Sequence, residues 1–317
     1  MKKTILSLTL ILAAFLAIDR LGALAMKWVF EHTNDIIAPK LRHLDHGVRQ
    51  DILLLGTSRC QYHFVPQIIT DSTALSAYNA GIDASDNVFA HYMVLQFVLQ
   101  HHTPQVVVLQ TSEDDYAQDK NPAGPTTFFA PYVGRNARMD AIFRQAGTYW
   151  PYQISHLYRY NAKALSNLAG LRKATPPDAD NGYVYVTDQG VHPDSLIHDY
   201  APKHENPVMI RQMETFINEC HSRGITLVMT IPPVFSLVGP DRYAPLHRLA
   251  RQHGVPLLDY HTPGLFTDRP DLFHDTGHMN GNGAQLFTAI FAHDLKQILE
   301  ENKIIPRQNQ DSPQQNP

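Results

Sequence analysis

Cysteine is nearly absent from the 317-residue sequence: Cys60 and Cys220 are the only two. Two thiols cannot build a disulfide framework, and these lack the paired spacing of zinc sites. A strong charge of one sign is also missing. With 26 basic and 30 acidic residues the formal net charge is −4, so no global positive field recruits nucleic acid or anionic lipid. There is no internal repeat. Apolar material is plentiful, at 44% hydrophobic and 9% aromatic residues with 18% charged, which excludes a chain disordered throughout. The length is compatible with one large α/β domain or with two smaller ones.

The N-terminus carries an export signal. Lys2 and Lys3 precede fourteen apolar or hydroxyl residues, Ile5 to Ile18; Asp19 and Arg20 interrupt before a second apolar stretch, Leu21 to Phe30. Ala23-Leu24-Ala25 offers a small-residue cleavage site, but a charged pair inside a cleavage region is unusual. The favoured expectation is an uncleaved anchor over residues 1–30. In it a tilted helix keeps Asp19 and Arg20 as neighbours near one interface, the two lysines stay cytoplasmic, and the rest lies outside the inner membrane, in the periplasm or cell envelope. Cleavage and secretion is the alternative.

After a polar, basic connector, short apolar runs alternate with helical periodicity, which predicts a parallel α/β sheet. Five strands are read: Asp51–Gly56, Ser76–Asn79, Gln105–Gln110, Ile225–Ile231 and Val255–Asp259. Continuous apolar character suits strands buried on both faces. Helices are expected just beyond Ser58 and over Asn87–Gln100, Pro207–Arg223, Pro240–His253 and Gly281–Glu300. Residues 31–302 thus form one α/β domain. Residues 112–206 show no strand pattern and read as an inserted cap over the C-terminal edge of the sheet. That cap holds nine of the fourteen tyrosines and Trp150. Most are expected to pack the cap, with a few available to stack on sugar rings. The Gln-, Asn- and Pro-rich tail, 303–317, is expected to be disordered.

Ligands bind at the carboxyl ends of strands in open parallel sheets, so the polar residues there are weighed first. Gly56-Thr57-Ser58-Arg59 places Ser58 near a helix start, where backbone N–H groups and the helix dipole favour a developing oxyanion. On this motif alone an ordinary N-cap is the plainer reading. Cys60 stands where the second glycine of G-x-S-x-G would be, which excludes the nucleophile elbow of α/β-hydrolases. Near the other end, His274-Asp275-Thr276-Gly277-His278-Met279-Asn280 sits in a loop before the last helix. There Asp275 can fix the tautomer of His278. A metal site at His274 and His278 ranks below this, because Gly277 opposes a helix and no third ligand is evident. Arg59 is a candidate for pairing with a substrate carboxylate or with Asp114, although early-helix arginines more often pack or face solvent; His63 has no role assigned by spacing.

An early serine after the first strand and a late Asp-x-x-His before the last helix together resemble the SGNH/GDSL hydrolase superfamily, over about residues 51–300. The Gly-Thr-Ser-Arg form and the N-terminal anchor are similar to its membrane-anchored envelope members. The resemblance implies a flavodoxin-like five-stranded parallel sheet with helices on both faces. It also implies Ser58 as nucleophile, His278 as general base and acid, Asp275 as orienting carboxylate, and no cofactor or metal. Against the family pattern, Ala84 falls where an oxyanion-hole glycine is expected and Asp114 where an asparagine amide is expected. A protonated Asp114, Asn79 or the Ser112 hydroxyl are the substitutes considered. The implied activity is hydrolysis of O-acyl groups on an envelope glycan or similar exported ester. The alternatives are an O-acyltransferase using the same triad and a non-catalytic SGNH-like binding or assembly protein. The partners implied are the acyl ester and the membrane, not nucleic acid.

Overall fold

A computed structural model describes residues 2–121, 124–174, 181–187, 190–201 and 203–305. Its strands are β1 Ile52–Leu55, β2 Ala77–Asn79, β3 Val106–Gln110, β4 Ile197–Asp199, β5 Thr226–Ile231, β6 Ser236–Val238 and β7 Leu257–Asp259. Five of them form one all-parallel sheet in the order β2-β1-β3-β5-β7, and they are the five read from the sequence. The chain leaves β1 toward β2 on one side and returns to β3 on the other, so a switch-point crevice opens at the carboxyl ends of β1 and β3.

Strand geometry divides the core in two, because successive side chains point to opposite faces. Leu53, Leu55, Val107, Leu109 and Leu227 join one apolar cluster with helices Val88–Leu99, Pro207–Ser222 and Ala244–His253. Ile52, Leu54, Val106, Val108 and Val228 join the other with Pro66–Thr73 and Gly281–Glu301. Helix Val88–Leu99 is apolar all round, and its residues 88–98 are buried. A second layer covers its outer face, made by helix Ala38–Gly47 and the 3-10 segment Pro125–Tyr132. Asn87 starts that helix by accepting the N–H groups of Phe89 and Ala90.

The inserted region is short helices and 3-10 turns, with one element that its sequence did not suggest: β4, which pairs in parallel with β6 as a separate two-stranded sheet. Three residues without alternation leave too short a pattern to read. Tyr116, Tyr132, Tyr152 and Tyr160 are buried, whereas Tyr158, Tyr185, Tyr200 and Trp150 are exposed. Residues 181–187 run past β2: the Asn79 N–H reaches Asn181 O at 2.8 Å, and the Val184 N–H reaches Gln61 O at 3.2 Å. At the C-terminus, Ile304 still packs on the second core cluster. The expected disordered tail, from residue 306 onward, lies outside the described residues.

One continuous helix spans Lys2–His32, about 46 Å at 1.5 Å per residue, and is long and apolar enough to cross a membrane. Its two halves differ. Residues 2–18 are exposed, whereas Ala23, Val29 and Phe30 are buried against the domain, so the helix does not separate from the α/β unit at residue 30. Asp19 and Arg20 pair with each other, and they also dock the helix. The Asp19 carboxylate accepts the N–H groups of His156 (3.0 Å) and Leu157 (3.2 Å) and the Ser155 hydroxyl, while Arg20 reaches Ile154 O at 3.4 Å. Asp19 therefore satisfies free donors at the start of the 3-10 helix Leu157–Lys163. Scission at Ala23-Leu24-Ala25 would remove that anchor and buried Ala23. Asp19→Ala is expected to cost about 1–3 kcal/mol, as donors in a part-buried site lose their acceptor. Thermal unfolding of the detergent-solubilised full chain checks this; an unchanged midpoint would show that the contact contributes nothing.

Candidate active site

Ser58 emerges from the end of β1 on the first turn of the short helix Ser58–His63. Thr57, not Ser58, is the N-cap, its Oγ1 accepting the Arg59 N–H at 3.3 Å, which leaves the Ser58 hydroxyl free for chemistry. From β3, the buried Gln110 Oε1 accepts both the Thr57 N–H (2.9 Å) and the Thr57 hydroxyl (3.0 Å). Gly56 permits this approach, since a Cβ there would stand 2.7 Å from those of Cys60 and Gln110. Asn79 holds the other side of the helix. Its Nδ2 donates to Cys60 O (2.7 Å) and Phe64 O (2.8 Å), and its Oδ1 accepts the Gly81 N–H (3.0 Å). Both amide hydrogens are thus committed, and Asn79 is a brace rather than an oxyanion donor, which corrects that expectation.

His278 comes from the loop between β7 and the final helix. Ser58 Oγ lies 2.7 Å from His278 Nε2, and His278 Nδ1 lies 3.0 Å from each Asp275 oxygen. Asp275 Oδ1 also accepts the N–H groups of Gly277 (2.8 Å) and His278 (2.9 Å), so the turn sets the carboxylate before the imidazole meets it. Burial alone would raise the Asp275 pKa. The His278 ring and the Gly277 and His278 N–H groups outweigh burial, and the net value lies below the ordinary carboxylate one. An ionised Asp275 selects the Nδ1–H tautomer and leaves Nε2 to accept the Ser58 proton.

Contacts from other elements help to hold this loop in place. The Phe235 N–H, just before β6, donates to Thr276 O at 2.9 Å, and the Met279 N–H donates to His63 Nε2 at 3.0 Å. His63 is fully buried, and burial above all, then the charges of His278 and Arg59, keeps its pKa well below the ordinary histidine value. It is a neutral acceptor. Sequence reasoning missed Gln110 and His63 as braces; position at the end of β3 and at the end of the nucleophile's helix was the only signal available.

The Ala84 loop closes over the end of β1: the Ile82 N–H reaches Gly56 O at 3.1 Å and the Asp83 N–H reaches Gln61 Oε1 at 3.0 Å. Ala84 has φ +59°, the left-handed conformation that favours glycine. The backbone at the glycine-like position is therefore kept although the residue is not. Among the described residues neither the Ser58 nor the Ala84 N–H has a hydrogen-bond partner. Asp114 does not replace the asparagine amide. It pairs with Lys120 at 2.7 Å, and the acid whose pKa rises in this corner is Asp86, from burial first and then from the charge of Asp114. Glu113–Asp115 is a capped 3-10 turn rather than a solvated one, with the Ser112 Oγ accepting the Asp114 N–H and Asp115 Oδ2 accepting the Ser112 N–H. Arg59 forms no side-chain hydrogen bond or ion pair among the described residues, with Asp114 or with any other group. No cluster of three His, Cys, Asp or Glu side chains among those residues can hold a metal ion.

This arrangement, a serine hydroxyl on an imidazole that a carboxylate orients, is found at the mouth of a five-stranded parallel α/β sheet. Solved structures similar to the chain include a protein described as lipolytic, of the G-D-S-L family, from Desulfitobacterium hafniense DCB-2; it is 9% identical with a TM-score of 0.37, covering 76% of this chain and 98% of that one. Another, described as an acylhydrolase, from Bacteroides fragilis NCTC 9343, is 10% identical with a TM-score of 0.38, covering 82% and 94%. An acetyl xylan esterase is 12% identical with a TM-score of 0.37, covering 80% and 100%. No protein-family model matches the sequence, and no curated protein does. The chemistry is read from Ser58, His278 and Asp275, not from these likenesses.

Two outcomes are expected. Ala84→Gly removes the penalty of a Cβ at positive φ and should stabilise the protein by up to about 1 kcal/mol in denaturant unfolding; a loss of stability would deny strain at that position. His63→Gln keeps an acceptor for Met279 but cannot titrate. In the native chain the unfolded state protonates His63 below about pH 6.5 while the folded state does not, so stability is full above that pH and falls below it. The variant should lose that part of the acid sensitivity, up to about 1.4 kcal/mol per pH unit, in thermal scans from neutral to acid pH. Identical slopes would mean that His63 is protonated in the folded protein.

Proposed function

We propose that the protein is a serine-type ester hydrolase that removes O-acyl groups from an envelope glycan or a similar exported substrate, tethered by its N-terminal helix with the catalytic domain outside the inner membrane. The observation that carries the chemistry is the 2.7 Å contact between Ser58 Oγ and His278 Nε2, backed by Asp275. Ser58 Oγ attacks the ester carbonyl carbon while its proton passes to His278 Nε2, and Asp275 stabilises the imidazolium. The carbonyl oxygen becomes an oxyanion beside the N–H groups of Ser58 and Ala84. Collapse breaks the bond to the alcohol oxygen, which takes the proton from His278 and leaves a Ser58 acyl ester. Water, deprotonated by His278, then attacks that ester and releases the acid, and the proton returns to Ser58.

Hydrolysis of p-nitrophenyl acetate and labelling with a serine-reactive phosphonate by the detergent-solubilised full chain test the reading. Ser58→Ala should abolish labelling, and both Ser58→Ala and His278→Ala should lower kcat/KM by at least about a thousandfold. Equal activity in all three proteins, with no label on Ser58, would leave a scaffold that binds without catalysis.

A further inference from the structure

A cavity of about 580 Å³ lies away from Ser58, between the second half of the N-terminal helix and the inserted region. Its wall is basic on balance, with Arg20 and Lys27 from the helix, Arg42 from the segment after it, and Arg135 and Arg159 from the insertion, against the two carboxylates of Glu31 and Asp45. Three of these have carboxylate partners: Arg20 has Asp19, Lys27 has Glu31 at 3.6 Å, and Arg135 has Asp45 at 2.7 Å. Among the described residues the other two have no carboxylate in contact, only the longer-range charges of Asp35 and Glu31 on Arg42 and of Asp140 and Asp19 on Arg159. Arg42 donates to the carbonyls of Phe30 and Thr33, and Arg159 to those of Tyr152 and Val133. Burial lowers the pKa of both guanidiniums, the mark of cations drawn out of water without a counter-charge in contact.

The position of this wall narrows what fills it. It begins at Arg20, one residue beyond the docking carboxylate of Asp19 and two beyond Ile18, the end of the exposed apolar half of the helix. At the same level on the domain, flanking the Ser155–Leu157 turn that Asp19 binds, Trp150 is 68% exposed, Ile154 71% and Tyr158 47%. Exposed aromatics and an isoleucine around the foot of an apolar helix are the composition of a membrane-interface belt. With residues 2–18 in the membrane, as the proposed tether has it, the basic cavity opens near the depth of the lipid phosphates. Guanidiniums with no carboxylate in contact among the described residues match a phosphodiester by charge and by paired donors.

We propose that this cavity binds the headgroup of an anionic membrane phospholipid. Arg42 and Arg159 contact the phosphodiester, and Trp150, Ile154 and Tyr158 rest in the boundary between headgroups and acyl chains. The site is distinct from Ser58 and does not depend on the esterase reading. The test uses the full chain in a neutral detergent, with dioctanoyl phosphatidylglycerol, dioctanoyl phosphatidylcholine or inorganic phosphate added, read by native mass spectrometry and thermal unfolding. Phosphatidylglycerol should be retained and should raise the unfolding midpoint; phosphatidylcholine and inorganic phosphate should do neither. Arg159→Gln should weaken phosphatidylglycerol at least tenfold. So should Lys27→Gln combined with Arg135→Gln, whose half-exposed side chains make misfolding a small risk, and this pair decides the matter if Arg159→Gln does not fold. Equal retention of the two lipids, a full effect from inorganic phosphate alone, or unchanged affinity in the double variant would each overturn the proposal.

Discussion

Ser58 and His278 stand 220 residues apart, and the 2.7 Å between Ser58 Oγ and His278 Nε2 has to be held by something stiffer than a loop. The six-residue helix Ser58–His63 supplies the stiffness, because it carries the nucleophile at one end and, at the other, the His63 ring that grips the Met279 N–H. Both partners of the proton transfer are therefore referenced to the same turn and a half of helix. That helix is itself fixed from two sides, by Gln110 on β3 through Thr57 and by Asn79 on β2 through Cys60 and Phe64. A lateral shift of either strand would be felt at Ser58 before anywhere else on the surface.

The backbone donors that the proposed chemistry can call on are few. Among the described residues the N–H groups of Ser58 and Ala84 have no partner, and Asp114, which the sequence set where an asparagine amide was expected, is paired with Lys120. Losing one preorganised donor of this kind is worth about 2–4 kcal/mol of transition-state stabilisation. The pairing of Asp114 with Lys120 adds no donor.

Much of this was legible in the sequence, for definite reasons. Continuous apolar runs of strand length ended by Gly56 or by Pro232 marked the sheet, whereas Ser58, on its own motif an ordinary N-cap, was singled out with Asp275 and His278 only by the resemblance of their order along the chain to a known pattern. What remained hidden depended on contacts between distant segments. Asn79 looked like a donor at a strand end, and only the carbonyls of Cys60 and Phe64 reveal that its amide is used up. The positive φ of Ala84 cannot be inferred from an alanine, whose own preference is against it. Asp19 read as an awkward charge in an apolar helix, because its partners, Ser155 to Leu157, lie more than 130 positions later in a region with little periodicity.

The N-terminal helix has no break between its exposed half and the half that is packed on the domain. A proline or glycine-rich connector would have made it a leash, letting the catalytic mouth sweep a wide volume. An unbroken helix clamped by Asp19 and Phe30 is instead a rigid post, with no joint about which the domain can swivel. Whatever grips residues 2–18 therefore also sets the height and bearing of Ser58 above it.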